Sequence, residues 1–329
     1  MKFFRPFKKI SAFVLVFCFL AISLSGCGST SRDEASAFVG KTKLSANIEA
    51  EVKALADSGG AVSLGLETEA SGIVQANSDT AAIDYSNITR GYVMARVTGN
   101  PEKAHKFLLK GPETVYTYNL SQGDWTAFPL SDGNGHYQAD VYESVGDSKY
   151  VTILSVAFEA FMEDEFAPFL RPNQYVDFSD SPNTIATAEV LTRGCESELE
   201  MVAAVYDFVV ENLKDDKQLA QTVQSGYLPV LEKVLESKKG ICFDYAALMT
   251  GMLRSRGLPC KLVVGYAGDA YHAWIDVWSE ESGWIDGVIF FDGSSWQRMD
   301  PTFYSTGGKS RDISKFIGDG SNYSAKYFY

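Results

Sequence analysis

Cysteine and histidine are scarce in this chain. Its 329 residues hold five cysteines and three histidines. A disulfide-stapled scaffold needs more, and a chain of this length buries enough apolar surface without staples. Only one histidine, His272, lies in the C-terminal half, and the cysteines are scattered. No ligand set therefore has the spacing of a metal site. Neither a metal nor a cofactor is expected. The glycines of Leu64-Gly65-Leu66 and Gly318-Asp319-Gly320 lack the strand-then-helix setting of a nucleotide-binding loop. Positive charge is short as well: 29 Lys and Arg stand against 42 Asp and Glu, a formal net charge of −13. Such a chain is a poor partner for nucleic acid, which wants a basic face. No apolar run is long enough to cross a bilayer comfortably; Ile10 to Leu24 falls short.

What is present begins with the N-terminus. Lys2, Arg5, Lys8 and Lys9 precede the apolar run, and Leu24-Ser25-Gly26-Cys27 follows it. This is the layout of a secretory signal, and its end resembles the lipobox of bacterial lipoproteins. The resemblance implies removal of residues 1–26 and lipidation of Cys27. The protein is then expected outside the cytoplasm, on the cell membrane. Removing residues 1–26 takes away four positive charges and no negative one, leaving a net charge of −17. A polybasic grip on anionic lipid is thereby excluded, so acyl chains must hold the protein alone. Of the other cysteines, Cys195 and Cys260 either pair in an oxidising setting or serve as small buried apolar residues. The second reading is preferred.

About 300 remaining residues suit two domains better than one. Residues 27–58 read as a tether with a short amphipathic helix from Leu44 to Leu55, closed by the breaker Gly59-Gly60. Residues 59–180 read as a β-rich, sandwich-like domain. Tyr92–Val97, Val115–Leu120 and Tyr150–Val156 are short, β-branched and aromatic. Ser131–Gly135 reads as a turn and lacks the ligand count of a calcium loop. His105 and His136 sit in polar, loop-like surroundings and read as solvated surface histidines. Ser181-Pro182-Asn183 marks a boundary to a second domain over residues 181–329. There Leu199, Val202, Tyr206, Val209 and Leu213 recur at helical spacing, and Leu228–Leu235 gives a second helical segment with Pro229 at its start.

The chemistry is carried by three stretches. In the first, Gly240 precedes Cys242, and good helix formers run from Ala246 to Leu253 before Gly257-Leu258-Pro259 ends the helix. Cys242 is thus placed at a helix N-terminus. Free N–H groups and the dipole there favour a thiolate and can hold an oxyanion. In the second, His272 opens an alternating strand, from which an imidazole can reach a helix N-terminus and move the thiol proton. In the third, Trp296–Asp300 reads as a strand ending in an Asp-Pro turn, which offers a carboxylate to orient the imidazole. Asp276, Asp286 and Asp292 compete for that role, and Asp276 shares a strand face with His272.

These stretches resemble the transglutaminase-like superfamily, related to papain-type thiol proteases. The matching blocks are Gly240–Ala246, Leu253-Arg254, Gly257–Pro259, Val264–Tyr266, His272–Trp274 and Met299–Thr302, in family order over about residues 195–304. The resemblance implies an α+β domain of helices packed on an antiparallel sheet. It implies Cys242 as nucleophile, His272 as acid and base, and Asp300 as the orienting acid. Within the C-terminal domain no tryptophan precedes Cys242 to supply a further oxyanion donor; Tyr227 is a candidate, though packing is its simpler role. Asp244 and Arg254 also match family positions and read as an ion pair or helix cap. Trp274 and Trp284 read as cleft walls or core.

The expected activity is that of an anchored thiol enzyme acting on amide or peptide bonds. Its acyl-enzyme would be resolved by water, as in a peptidase or amidase, ahead of an amine, as in a crosslinking enzyme. The expected partner is a peptide or protein substrate, with cell-wall peptides suggested by location only. The alternative is a non-catalytic surface binding module that keeps the fold.

Overall fold

In a computed structural model, the described residues are 46–59, 64–280, 283–286, 289–291, 296–298 and 323–329. The expected signal segment, Cys27 and Asp300 lie outside them. The described residues all fall within one unit.

The helix expected near residues 44–55 is α1, Ala46–Asp57. The β-rich region follows, with β1 Gln75–Asn77, β2 Ala81–Asp84, β3 Tyr92–Val97, β4 His105–Lys110, β5 Val115–Leu120, β6 Thr126–Pro129, β7 Gly135–Gly146 and β8 Lys149–Ala160. They make two antiparallel sheets, ordered β1-β2-β3-β6 and β5-β4-β7-β8. Alternation decides the inner face. Phe107 and Leu109 of β4 and Tyr116, Tyr118 and Leu120 of β5 are buried, and their neighbours point outward. The inner faces meet: the Phe107 ring lies 4.3 Å from that of Phe128 on β6. The β7–β8 hairpin turns on Asp147 and Ser148, both at positive φ, which matches the right-handed strand twist.

His105 is not on a loop; it opens the interior strand β4 and is buried. Its pairing opposite Glu143 on β7 covers it, with Nε2 3.4 Å from the Glu143 carboxylate. Its polar sequence neighbours, Lys103 and Lys106, concealed this tertiary burial. His136 is exposed as expected, but on β7, with Nδ1 2.8 Å from Glu159 of β8. Asp132, in the expected turn, accepts from the main-chain N–H groups of Glu113 and Thr114 and from the Tyr116 hydroxyl. Its carboxylate thus ties down the β4–β5 loop.

Helices dominate next: α2 Pro182–Thr192, α3 Glu198–Asn212, α4 Lys217–Thr222, α5 Leu231–Ser237 and α6 Cys242–Ser255. Pro182, a boundary signal in the sequence, is the first residue of α2, where its missing N–H costs nothing. Ser197 caps α3 through the Glu200 N–H, and the expected face of Val202, Tyr206 and Val209 is buried. Strands β9 Lys214–Asp215 and β10 Lys239–Gly240 pair briefly in parallel. A third antiparallel sheet combines β11 Cys260–Ala267, β12 Ala270–Ser279, β13 Gly283–Ile285 and β16 Tyr323–Phe328, in the order β13-β12-β11-β16. A separate hairpin pairs β14 Ile289–Phe291 with β15 Trp296–Arg298. Helix α6 lies against β11 and β12, with α2, α3 and α5 around it. One apolar core runs from Phe107 and Tyr118 through α3 and α6 to Leu262 and Ile275.

Asp207 on α3 is partly buried, and its carboxyl is pushed up to about 6, first by burial and then by Glu211 one turn on. The folded chain therefore holds this proton at pH values where the unfolded chain, near 3.8, has lost it. Stability drains away as pH climbs from about 4 to about 6. Asp207→Asn is expected to stabilise the protein by about 1–2 kcal/mol at pH 7 and to have little effect at pH 3.5. Urea denaturation at the two pH values checks this.

Candidate active site

Cys242 is the first residue of α6. The approach to it is tightly built. Lys238 ends α5 in the left-handed region. Gly240 then pairs beside Asp215, and its carbonyl accepts from the Asp216 N–H at 2.9 Å. Ile241, extended, is the cap residue but has no side-chain acceptor. Asp244 reaches back instead: its Oδ2 accepts from the Ile241 N–H at 2.8 Å. A Cβ at position 240 would stand 2.5 Å from that of Asp244, so the fold needs glycine there. The other Asp244 oxygen accepts from the Tyr227 hydroxyl at 2.8 Å. Burial raises the Asp244 pKa, while the bonds from Ile241 and Tyr227 oppose the rise. The capping role expected for Asp244 thus holds. The Tyr227 hydroxyl proton is directed at this carboxylate, which gives it a positioning role ahead of an oxyanion one. The first N–H groups of α6 have no partner within the helix, and Cys242 stands at that same end.

Arg254, near the other end of α6, is not an ion-pair partner of Asp244. Its fully buried guanidinium donates to three main-chain oxygens: Cys260 at 2.9 Å, Arg171 at 2.8 Å and Tyr329 at 2.6 Å. Burial lowers its pKa to about 10. This one side chain ties the β-rich region, the start of β11 and the end of β16 to the cysteine helix.

His272 is the third residue of β12 and is 7% exposed. Directly across on β11 stands Gly265. A Cβ there would lie 2.1 Å from the Ser324 carbonyl oxygen of β16, closer than any relaxation of a side chain could relieve. Gly265→Ala is expected to push β16 off the sheet at a cost of about 2 kcal/mol, read as a lower urea midpoint.

The rival acid Asp276 lies four residues along the same strand, about 13 Å away at 3.3 Å per residue. It faces Lys261 in the strand register and offsets part of the burial that lowers the Lys261 pKa. Asp286 is exposed and also acts on Lys261. Asp276 is thus too far to orient the imidazole directly. Asp292, like Asp300, lies outside the described residues.

Cys242 and His272 both line one cleft of about 480 Å³. Around them stand Phe243, Tyr271, Tyr175, Tyr327 and Tyr329, with Thr117 of β5 and the 223–227 segment completing the wall. The tyrosines were not foreseen as site residues, although aromatics crowd the end of the sequence at Tyr327-Phe328-Tyr329. Cys260, by contrast, is buried, its Sγ 3.6 Å from the Thr250 hydroxyl and its thiol pushed up to about 12 by burial. Cys195 and Cys242 are partly exposed, and among the described residues neither they nor Cys260 form a disulfide. Trp274 is buried against Tyr323, and Trp284 stacks on the Lys261 ammonium at 3.7 Å, so both serve packing. Among the described residues no cluster of His, Cys, Asp or Glu could hold a metal ion.

Residues 185–301 match the family described as the transglutaminase-like superfamily. YebA of Bacillus subtilis (strain 168), itself uncharacterized, is 25% identical over 134 residues, 34% of this chain and 18% of its own. A protein-glutamine gamma-glutamyltransferase of Pseudomonas aeruginosa is 33% identical over 67 residues, 16% of this chain and 10% of its own. The chain thus spans less than a fifth of the length of either relative. Among solved structures, red sea bream transglutaminase is 14% identical, with 69% of this chain and 53% of that one covered and a TM-score of 0.26. A structure from Cytophaga hutchinsonii, provisionally described as a cysteine protease, is 10% identical, with 78% and 74% covered and a TM-score of 0.36. Residues 185–301 of this chain are a domain of the transglutaminase-like superfamily.

Proposed function

We propose that the chain is a thiol enzyme acting on amide or peptide bonds through Cys242, His272 and Asp300. One observation carries the reading: the cysteine that begins a helix shares a cleft with the histidine of the neighbouring strand. His272 takes the thiol proton as Cys242 Sγ attacks the amide carbonyl. The N–H groups at the start of α6 hold the negative charge that develops on the carbonyl oxygen. The C–N bond breaks, the proton passes from His272 to the departing amine, and a thioester remains on Cys242. Water, activated by the same imidazole, then releases a carboxylic acid. Asp300 keeps the imidazole oriented and stabilises its charged form. Hydrolysis is read ahead of crosslinking, by analogy with the papain-type thiol proteases to which the superfamily is related.

The lipobox-like Leu24–Cys27 supports an anchored, extracytoplasmic enzyme, with peptides or proteins at the cell surface as substrates. The protein, incubated with a peptide mixture and a primary amine in ¹⁸O-labelled water, is expected to give fragments carrying ¹⁸O in new carboxyl groups. Cys242→Ala is expected to give none. Amine adducts in place of labelled acids would reverse the leaning to hydrolysis, and cleavage surviving in Cys242→Ala would overturn the thiol mechanism.

A further inference from the structure

The cleft is unlike the rest of this acidic molecule. The chain carries a net charge of −13, yet among the described residues lining the cleft there is no Asp, Glu, Lys or Arg. Its wall is aromatic instead. Tyr175 packs on Phe243 with ring centroids 5.5 Å apart and on Tyr329 at 4.5 Å. Tyr327 stands 6.2 Å from Tyr329 and extends this surface. Tyr271, next to His272, is 60% exposed and meets Tyr266 edge-on at 5.5 Å. The wall therefore combines a partly buried aromatic bed with one large ring standing at the rim.

The wall is also assembled from distant parts of the chain. Thr117 and Tyr175 come from the β-rich region and its connection to α2, and Tyr327 from the C-terminal strand. The β-rich region is held against the 223–227 segment at close range. A Cβ on Gly226 would lie 2.1 Å from the Asn119 side chain of β5, and Gln174 donates to the Asn119 carbonyl at 2.7 Å. The region that the family match leaves out thus supplies part of the cleft beside the thiol.

An aromatic surface whose described lining carries no fixed charge rewards an apolar or aromatic side chain and penalises a charged one, which loses water there. We propose that the cleft selects peptides with an uncharged aromatic or large apolar side chain beside the attacked amide, seated on Tyr175, Phe243, Tyr271 and Tyr327. This rests on the thiol-enzyme reading of Cys242. It disfavours peptides whose residue at that position is acidic or basic, whatever their source.

Three blocked peptidyl chloromethyl ketones, with Phe, Glu or Lys beside the reactive carbon, test the selectivity. Iodoacetamide serves as the probe without a side chain, and Cys242 labelling is followed by peptide mass spectrometry. The Phe probe is expected to label at least about tenfold faster than either charged probe after normalisation to iodoacetamide. In Tyr271→Ser, an exposed position that folding tolerates, the Phe-to-Glu ratio is expected to fall by several-fold. Equal rates for the three probes would overturn the proposal. So would a Lys probe that is fastest, because the overall negative field would then govern entry. Slow iodoacetamide labelling of the wild type at neutral pH would instead overturn the thiol-enzyme reading, and this proposal with it.

Discussion

Arg254→Ala is expected to lower the free energy of unfolding by about 4 kcal/mol. The guanidinium donates to the main-chain oxygens of Cys260, Arg171 and Tyr329, and it is fully buried. Alanine would leave acceptors from three separate segments short of a donor and open a cavity beneath β11. One effect works the other way. Burial disfavours the charge, which is why the pKa falls to about 10, and removing the charge recovers that desolvation. Arg254→Met separates the two contributions. It fills most of the volume and removes the charge but supplies no donor, so its loss is expected to lie between zero and that of alanine. Arg254→Lys keeps the charge without the planar fork and is expected to recover only part of the wild-type stability. Urea midpoints with unchanged slopes would report these losses. An Arg254→Ala protein as stable as wild type would show that the three segments are held by packing alone.

His272→Ala is expected to reduce kcat/KM on a peptide substrate by about 10³–10⁴-fold, equivalent to roughly 4–5.5 kcal/mol of transition-state stabilisation. On the proposed mechanism the thiol would lose the base that removes its proton, and the departing amine its proton donor. Cys242→Ala is expected to be at least as impaired. If the two side chains act in one proton-transfer unit, as proposed, the double variant should be no slower than the worse single variant. Multiplying losses in the double variant would mean that they contribute independently. His272→Gln, which keeps most of the buried volume, should lose activity as fully with a smaller loss of stability than His272→Ala, which separates a chemical role from a packing one.

Local signals made much of this site readable before its geometry was known. The helix start at Cys242 was marked by Gly240 before it and by the helix formers after it, and the β12 strand by strict alternation from Ala273 to Trp278. The amphipathic repeat of α3 was equally plain. What escaped notice depends on segments far apart in the chain. Arg254 suggested an ion pair, yet its partners Arg171 and Tyr329 are 83 and 75 residues away and offer main-chain oxygens, which no sequence pattern marks. His105 is buried by a strand that pairs with it from residue 143. Helix α2 leaves only its start legible, as the boundary Ser181-Pro182-Asn183, because Pro182 looks like a breaker and the threonines and alanines after it carry little amphipathic contrast. The tyrosine wall joins residues 175, 271 and 327, and none of the three is informative alone.

The most direct test of the thiol mechanism is the rate of Cys242 alkylation by iodoacetamide as a function of pH, in wild type and in His272→Ala. An activated thiolate predicts fast labelling with an apparent pKa well below the free-thiol value of about 8.5, shifted or lost in the variant. Slow labelling with an ordinary thiol pKa, indifferent to the loss of His272, would contradict it.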